Sequence, residues 1–495
     1  MSQTLNMLAV DYGASSGRAV VGSYDGNKVA LREIHRFQNE PVHIGSGLIW
    51  DFPRLFHELK QSIRRFAAET GGSAASLAVD TWGVDFGLLD RDGHLLGNPY
   101  HYRDTRTDGI MEQVFQLLPE DRLYALTGIQ TMQINTVFQL YSMIRGSSPM
   151  LAAAESLLFT PDLFQYFLTG EKAAEYSIAS TSGLLDPYSK TWSTEVLERL
   201  NIPPSLLSPI AFPGAVLGSL DKKVREELLA GDMKVVNTAS HDTASAVAAV
   251  PAESSSYAYI SCGTWSLMGV ESDTPIINDR ARLSFTNEGG AAGKLLFMKN
   301  ITGLWLLQEC KREWDAAGSG LSYGDMQSLA ARATPLACFV DPNSDRFMAP
   351  GGMAARIQAF CSDTGQRVPH SKAELIRCIV DSLALKYRQT LDELEELVGY
   401  RLPVIHMVGG GIQNELLCQL TANATGRPVI AGPVEATSAG NILIQAMAHG
   451  EIGTIEEIRQ VVRNSFPIVR YEPEHAAHWE EGYERYKAVV RQIAL

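Results

Sequence analysis

The sequence predicts an α/β protein of two lobes, each opening with a β-hairpin, with a cleft between them. At 495 residues the chain exceeds the roughly 100–200 residues of a single domain. Two stretches, Leu8–Gly22 and Tyr257–Val270, share one pattern of strand, Gly- and hydroxyl-containing turn, and strand. Strands and helical segments then alternate along the chain. We therefore predict an N-terminal lobe at residues 1–248 and a C-terminal lobe with a helical tail at residues 257–495.

Composition and charge exclude several classes of protein. Lys and Arg number 42 against 56 Asp and Glu, giving a formal net charge of −14, and no basic run occurs. Because phosphate-backbone binding needs a positive face, nucleic acid is not an expected partner. No apolar stretch reaches the roughly 18 residues that span a bilayer, and no signal peptide is recognisable. We expect no membrane association, a cytoplasmic location and reduced cysteines.

The N-terminal lobe is expected to open with strands around a tight turn. Apolar runs bounded by turn residues predict strands, and apolar residues at helical spacing predict a helix. The expected elements are strands at Met7–Tyr12, Arg18–Tyr24, Val29–Phe37, Leu77–Asp80, Gly83–Leu89 and Lys234–Thr238 and a helix at Phe52–Thr70. From residue 110 to about residue 200 the pattern is helical.

The C-terminal lobe is expected to repeat the opening hairpin before a largely helical remainder. A Gly-Gly-Gly run follows one of its later apolar strands. The expected elements are strands at Tyr257–Cys262, Trp265–Val270, Val404–Val408 and Pro428–Ile430 and helices at Leu304–Ala316, Ala373–Val398, Glu415–Thr425, Ala439–His449 and His475–Ala494. The last of these helices is amphipathic, which predicts a packing role.

The two hairpin turns are the first candidates for chemistry. A tight turn between strands can point successive backbone N–H groups in one direction and so form a nest for anionic oxygens. The first turn, residues 13–17, adds the hydroxyls of Ser15 and Ser16 and is followed by Arg18, and the second contains Thr264. A single turn of this kind is more often only a hairpin connection. Two turns at matching points of two lobes favour phosphate binding.

Asp11 ends the strand that precedes the first turn. A carboxylate beside bound phosphates suits a Mg²⁺ ion held through water, because Mg²⁺ keeps several of its waters. A lone Asp at the end of a strand is more often part of a turn, so this interpretation depends on the neighbouring nest.

Two polar segments of the N-terminal lobe could bind a sugar. Asp80–Asp85 interrupts buried strands, and Gly83 allows close approach of a ligand; a hairpin with a structural Trp82 explains the segment equally well. His241 and Asp242 follow a strand and open an Ala-rich helix. Asp242 could accept a hydroxyl proton and His241 could hydrogen-bond a sugar, although position alone favours helix capping.

The C-terminal lobe offers further candidates around its glycines. Gly409–Gly411 would let a flat ring or a phosphate lie against the backbone, but neither a P-loop nor a dinucleotide-binding fingerprint occurs. Asn300 and Gln308 flank Gly303-Leu304-Trp305 and could line a site. The start of a helix with a packed Trp explains the same residues.

These motifs resemble those of the FGGY family of carbohydrate kinases, which have the sugar-kinase/actin-like ATPase (ribonuclease H-like) fold. Residues 11–18 resemble the first phosphate loop, Gly263–Ser266 the second, and Val408–Gly411 the adenosine loop. The resemblance runs from about residue 7 to residue 447 and is greatest to the branch that acts on L-rhamnulose. Many members of the family carry Lys and Trp in the segment where this chain has Gln133–Leu140. This difference argues against a kinase that acts on xylulose or glycerol.

The resemblance implies a reaction and a set of roles. ATP would phosphorylate the 1-hydroxyl of L-rhamnulose, giving L-rhamnulose 1-phosphate and ADP, with Asp242 as general base and Asp11 near Mg²⁺ through water. The implied ATP contacts are Ala14, Ser15, Ser16, Gly17, Arg18, Thr264, Gln308 and Gly410, and the implied sugar contacts are Gly83, His241, Asp242, Thr243 and Asn300. The sugar would bind the N-terminal lobe and the nucleotide the C-terminal lobe.

Several points stay open at this stage. A kinase for a related ketose such as L-fuculose and a non-catalytic actin-like ATPase are the alternative functions. A monomer is one option for the oligomeric state. Some members of the branch carry cysteine pairs, and only Cys361 and Cys378 stand at such positions here; the sequence does not tell whether they pair.

Overall fold

The structure is a computed structural model that describes residues 4–71 and 74–493. Packing divides the chain into two units. Unit 1 comprises Met1–Ala249, Glu271–Phe297 and Ala436–Ser465, and unit 2 comprises Val250–Val270, Met298–Glu435 and Phe466–Leu495. Two segments predicted for the C-terminal lobe, residues 271–297 and 436–465, pack with unit 1. The order of elements along the chain does not reveal that these segments return to unit 1. The predicted lobe boundaries and the predicted cleft stay predictions.

The strands and helices follow one another in mixed order. The strands are β1 Leu5–Tyr12, β2 Ser16–Tyr24, β3 Val29–Gln38, β4 Pro41–Ile44, β5 Gly47–Trp50, β6 Ala74–Thr81, β7 Phe86–Leu89, β8 Ser156–Phe159, β9 Ala174–Glu175, β10 Leu185–Asp186, β11 Thr191–Trp192, β12 Ile210–Ala211, β13 Val216–Ser219, β14 Lys234–Val236, β15 Ala258–Cys262, β16 Trp265–Ser272, β17 Thr286–Gly289, β18 Leu295–Thr302, β19 Ile405–Val408, β20 Val429–Ala431 and β21 Val469–Tyr471. The α-helices are α1 Phe52–Thr70, α2 Ile110–Leu117, α3 Glu120–Thr127, α4 Thr136–Arg145, α5 Pro149–Ala153, α6 Thr160–Thr169, α7 Tyr176–Ser180, α8 Thr194–Arg199, α9 Lys222–Leu228, α10 Asp242–Ala248, α11 Asp279–Arg282, α12 Trp305–Ala316, α13 Tyr323–Arg332, α14 Met353–Asp363, α15 Lys372–Val398, α16 Glu415–Thr425, α17 Ala436–Ala448, α18 Ile455–Ser465 and α19 Ala476–Ile493. Short 3₁₀ helices lie at Thr105–Thr107, Pro204–Leu206, Ala291–Gly293, Asp345–Phe347 and Gly410–Gln413.

Unit 1 is built on a sheet with the strand order β13-β14-β6-β1-β2-β3. β1 pairs antiparallel with β2 and parallel with β6. Residues 7–10 of β1 are buried without interruption, as expected for a strand covered on both faces. Helix α1 packs on this sheet, and α17 contacts β1 and β6. The predicted opening strands and the bounds of the Phe52–Thr70 helix are confirmed.

Unit 2 repeats the same strand arrangement. β15 pairs antiparallel with β16 and parallel with β19, and β19 continues to β20 and β21. The long helix α15 begins with a capping box of Ser371 and Glu374 and ends at Gly399 in the left-handed conformation. The predicted α/β class, with a β-hairpin opening each unit, is confirmed.

Three of the predicted elements differ in part from the structure. The helical interval from residue 110 to about residue 200 also contains β8, which pairs antiparallel with β7; a short apolar run does not distinguish a strand from a helix without that tertiary partner. The strand predicted from Gly83 starts only at Phe86, because Val84 has φ of 69°. The tail helix begins at Ala476, and the predicted last residue, Ala494, lies outside the described residues.

No helix in the described part of the chain combines the length and apolar character needed to span a membrane.

Candidate active site

Three carboxylates of unit 1 lie where parallel strands end, the edge at which open α/β sheets bind ligands. Asp11 and Asp80 are direct neighbours in the β1–β6 register. Thr81 N donates to Ser240 O at 2.8 Å, which brings the start of α10, and with it Asp242, to the same edge. The sequence prediction named Asp11 and Asp242 as site residues, and Asp80 only as the first residue of the candidate segment Asp80–Asp85.

The charges of these carboxylates affect one another. Burial, followed by the negative charge of Asp11, raises the pKa of Asp80 well above its usual value. Asn441 on α17 donates to Asp80 Oδ2 at 2.6 Å, and Asp80 Oδ1 has no hydrogen-bond donor among the described residues. Burial also raises the pKa of Asp242 while the charge of His241 opposes the shift. The Asp242 side chain is 34% exposed. Solvent therefore screens the charges around it, and a substrate can reach its carboxylate.

The first hairpin turn is held by contacts that leave its tip open. Gly13 N donates to Ser16 O at 2.9 Å, and Asn39 donates from its backbone to Ser15 O and from its side chain to Gly13 O. Residues 14–16 are exposed. Arg18 Nε lies 3.0 Å from Asp11 Oδ2, its cross-strand neighbour. The turn thus presents backbone and hydroxyl groups beside the ion pair of Arg18 and Asp11. Asn39 was not among the residues predicted from the sequence.

His241 joins Asp242 to a buried carboxylate from β17. Its Nε2 atom lies 3.5 Å from Asp242 Oδ1, and its Nδ1 atom lies 3.1 Å from Glu288 Oε2. Burial lowers the pKa of His241, but the contact with Glu288 and its charge outweigh burial and raise that pKa to about 9. An imidazolium therefore lies beside Asp242 at neutral pH. Glu288 was not among the predicted site residues.

The loop around Gly83 is fixed by a buried carboxylate. Asp85 accepts hydrogen bonds from the indoles of Trp50 at 2.7 Å and Trp82 at 2.9 Å, and burial raises its pKa to about 6. The rings of Trp50 and Trp82 pack 4.1 Å apart, which supports the structural role of Trp82. A side chain at Gly83 would meet Thr181 Oγ1 at 3.1 Å, so the loop packs closely against α7 and its neighbours.

Unit 2 brings its own predicted residues around the second hairpin turn. Thr264 Oγ1 donates to Gln308 Oε1 at 2.9 Å, and Leu304 N donates to Gly263 O at 3.0 Å. The turn and the start of α12 are thereby tied together. Asn300 is half-buried on β18, which leads into this segment, and its carbonyl accepts from Asn343 Nδ2 at 3.2 Å.

The Gly-Gly-Gly segment has distinct positions. A Cβ atom on Gly411 would lie 2.4 Å from Cys262 Sγ, whereas one on Gly410 would meet nothing within 4 Å. Gly409 has φ of 89°, a conformation that glycine adopts most readily. Gly410 is therefore open to a ligand, while its neighbours pack against the end of β15.

Structural comparison defines the class of fold. The structure matches gluconate kinase from Lactobacillus acidophilus with a TM-score of 0.82 at 17% identity, covering 99% of each chain. It matches Plasmodium falciparum glycerol kinase with ADP with a TM-score of 0.79 at 13% identity, covering 99% of this chain and 98% of that one. The protein has the two-domain sugar-kinase fold.

Sequence comparison identifies the family. The N-terminal domain of the FGGY family of carbohydrate kinases matches residues 6–249, and its C-terminal domain matches residues 258–449. The chain is 41% identical over 487 residues to a rhamnulokinase of Bacteroides thetaiotaomicron, covering 98% of this chain and 99% of that one. It is 42% identical over 481 residues to a rhamnulokinase of Pectobacterium carotovorum, covering 96% and 95%. The chain belongs to the FGGY family of carbohydrate kinases.

Proposed function

We propose that this carbohydrate kinase transfers the γ-phosphate of ATP to the 1-hydroxyl of L-rhamnulose, giving L-rhamnulose 1-phosphate and ADP. The identity of more than 40% to proteins named rhamnulokinase over nearly the whole chain supports the choice of sugar. The observation that carries the chemistry is the position of Asp242, a partly exposed carboxylate at the carboxyl edge of the unit 1 sheet.

Asp242 is proposed as the general base. A sugar hydroxyl has a pKa far above neutrality, so its proton must leave as its oxygen attacks phosphorus. The new O–P bond forms while the bond between the γ-phosphorus and the β,γ-bridging oxygen breaks, and ADP departs with that oxygen. A carboxylate with a raised pKa accepts the proton more strongly than an ordinary one, and such assistance contributes on the order of 10²–10⁴-fold.

His241 is proposed to hold this base and to hydrogen-bond the sugar. Its imidazolium, set between Glu288 and Asp242, favours the anionic form of Asp242 and fixes one of its oxygens. Gly83, Thr243 and Asn300 are proposed as further sugar contacts. Thr243 Oγ1 donates to Asp242 Oδ1 at 3.1 Å, so Thr243 also orients the base.

ATP is proposed to bind the two hairpin turns and the open glycine. Phosphoryl transfer leaves little covalent work to a protein, so placement of the phosphates and neutralisation of their charge dominate. Ala14, Ser15, Ser16, Gly17 and Arg18 in unit 1 and Thr264, Gln308 and Gly410 in unit 2 are the proposed contacts. The exposed tip of the first turn and the open face of Gly410 support this assignment.

The carboxylates of unit 1 fit a bound Mg²⁺ ion. They offer oxygen ligands of the kind that this ion prefers, and the wholly buried Asp80 Oδ1 atom has no donor in the described part of the chain. Asp11 is the proposed holder, through water. The ion would supply positive charge to the phosphates. A cytoplasmic location and a monomeric state remain further predictions.

The decisive experiment is a panel of ketoses with ATP and Mg²⁺, monitored by ADP release. L-rhamnulose should give the highest kcat/KM, and phosphorus NMR should place the phosphate on the 1-hydroxyl. A higher value with L-fuculose would transfer the proposal to that sugar. ADP release that no ketose stimulates, together with ATP-dependent sedimentation of filaments, would favour the non-catalytic actin-like alternative.

A further inference from the structure

Three cysteines of unit 2 converge from separate segments outside the proposed active site. Cys338 lies in the irregular segment between α13 and Asp345–Phe347, Cys361 in α14 and Cys378 in α15. Their Sγ atoms all lie within 4.8 Å of one another. All three residues are buried and carry free thiols. No residue assigned to ATP or to the sugar belongs to this group, which we call the three-cysteine cluster.

The spacing of the sulfur atoms suits a soft metal ion. Tetrahedral Zn²⁺ with Zn–S bonds of about 2.3 Å holds its sulfur ligands about 3.8 Å apart. The cluster therefore needs to contract by about 1 Å at most to reach that spacing. Three thiolates are also ligands that exclude hard ions, since Mg²⁺ and Ca²⁺ select oxygen. The two α-helices and the buried segment that carry the cysteines hold the three sulfur atoms in this arrangement.

A fourth ligand has room beside the cluster. A cavity of about 10 Å³ is lined by Cys338 and Cys378, and this is about the volume at which a cavity holds one water. Arg367 and Arg377 line the same cavity, but each is paired with a carboxylate, Glu374 and Asp381 respectively, so the bound ion itself would neutralise the thiolates. Zn²⁺ sites with three protein ligands and one water are an established coordination type.

We propose that Cys338, Cys361 and Cys378 form a binding site for one soft, thiolate-binding metal ion, with Zn²⁺ and one water as the best match. The ion would join the 338 segment to α14 and α15. Helix α15 also carries Tyr387, whose hydroxyl lies 2.6 Å from Ser266 Oγ beside the second hairpin turn. The site therefore stabilises the part of unit 2 on which that turn is supported.

The first test is metal binding by the whole protein. The chain is stripped of metal with chelator under reductant, and its binding of Zn²⁺ is measured by equilibrium dialysis with elemental analysis. Cd²⁺ is added in parallel because its thiolate complexes absorb in the ultraviolet, which reports sulfur ligation in the unaltered protein. We expect one ion per chain and a thiolate band that saturates at the same ratio.

Variants then locate the ligands. Cys338→Ser should weaken Zn²⁺ binding at least tenfold, and so should Cys361→Ser. The matched control is Cys310→Ser, which removes another buried thiol, on α12 and outside the cluster, and should bind as the unaltered protein does. If a serine variant fails to fold, the Cd²⁺ band and the rise of the unaltered protein's Tm with Zn²⁺ still report the site.

Three outcomes would overturn the proposal. The first is a fully reduced protein, with all six thiols titrating in denaturant, that binds no Zn²⁺ and shows no Cd²⁺–thiolate band. The second is equal binding by Cys338→Ser and Cys310→Ser. The third is a thiol count of about four when protein purified without reductant is titrated in denaturant, rising to six after reduction, because Cys361 and Cys378 would then form a disulfide in place of a metal site.

Discussion

The contact between His241 and Glu288 makes a quantitative prediction about pH. Glu288 is the main reason why the pKa of His241 rises to about 9 from its ordinary 6.5, against the effect of burial. This rise corresponds to about 3 kcal/mol in favour of the imidazolium. Glu288→Gln keeps the shape of the side chain and removes its charge. We expect the pKa of His241 in this variant to fall clearly below 9, because burial is then opposed only by the charges of Asp242 and Glu175.

The contact between His241 and Glu288 also makes the free energy of unfolding depend on pH in a defined direction. A group whose pKa is higher in the folded state stabilises that state fully below its unfolded pKa. The contribution of His241 should therefore be complete below pH 6.5 and be lost as the pH rises through about 9. The unaltered protein should lose up to about 3 kcal/mol of unfolding free energy across this interval from His241, and Glu288→Gln should show a much smaller loss.

Two measurements check this reasoning. Proton NMR of the histidine ring, assigned with a His241→Gln variant, gives the pKa directly, and urea unfolding at several pH values gives the free energy. The control is Glu155→Gln, which alters an exposed glutamate and should change neither result. A ring pKa that stays near 9 in Glu288→Gln would refute the assigned cause, whatever happens to the activity.

Four further outcomes are expected. Asp242→Asn should lower kcat by about 10²–10⁴-fold with little change in the KM for ATP; near-normal turnover in a steady-state assay would remove Asp242 as the base. Gly411→Ala should destabilise the protein by about 1–3 kcal/mol in urea unfolding, because its Cβ atom would overlap Cys262, whereas Gly410→Ala should fold normally and raise the KM for ATP. Asn441→Ala should cost about 1–3 kcal/mol by leaving Asp80 without its donor, and equal stability in urea would contradict that account. Chelating Mg²⁺ should abolish turnover and added Mg²⁺ should restore it, as an ADP-release assay will show.

The sequence was sufficient for elements defined by local pattern. Phe52–Thr70 and Glu415–Thr425 were predicted with the observed bounds, because apolar spacing and flanking Asp51, Gly71, Asn414 and Gly426 mark both ends of each helix. The short strand Ser156–Phe159 was missed, because only its pairing with Phe86–Leu89 makes it a strand. Pairings between distant segments carry no local signal.

The residues of the candidate site also differ in whether the local sequence marks them. Residues in Gly-rich turns or at strand ends, such as Asp11, Thr264 and Asp242, carry a local signal and were named from the sequence. Glu288 and Asn441 were missed, because each reaches unit 1 from a segment that returns to it late in the chain. Glu288 lies within the stretch from about residue 7 to residue 447 that resembles the family, and that resemblance was the one signal that could have singled it out.

The charges of unit 1 explain how an acidic protein can bind a polyphosphate. Arg18, the cation of the first hairpin turn, is already paired with Asp11, so it adds little net positive charge there. Backbone N–H groups of the turn supply partial charges, which suit phosphate oxygens but do not neutralise them. Burial is the main cause that raises the pKa values of Asp80 and Asp242, and the charge of Asp11 adds to the rise in both. A divalent cation beside these carboxylates would offset their charge and that of the phosphates, which supports the proposed role of Mg²⁺ independently of the choice of sugar.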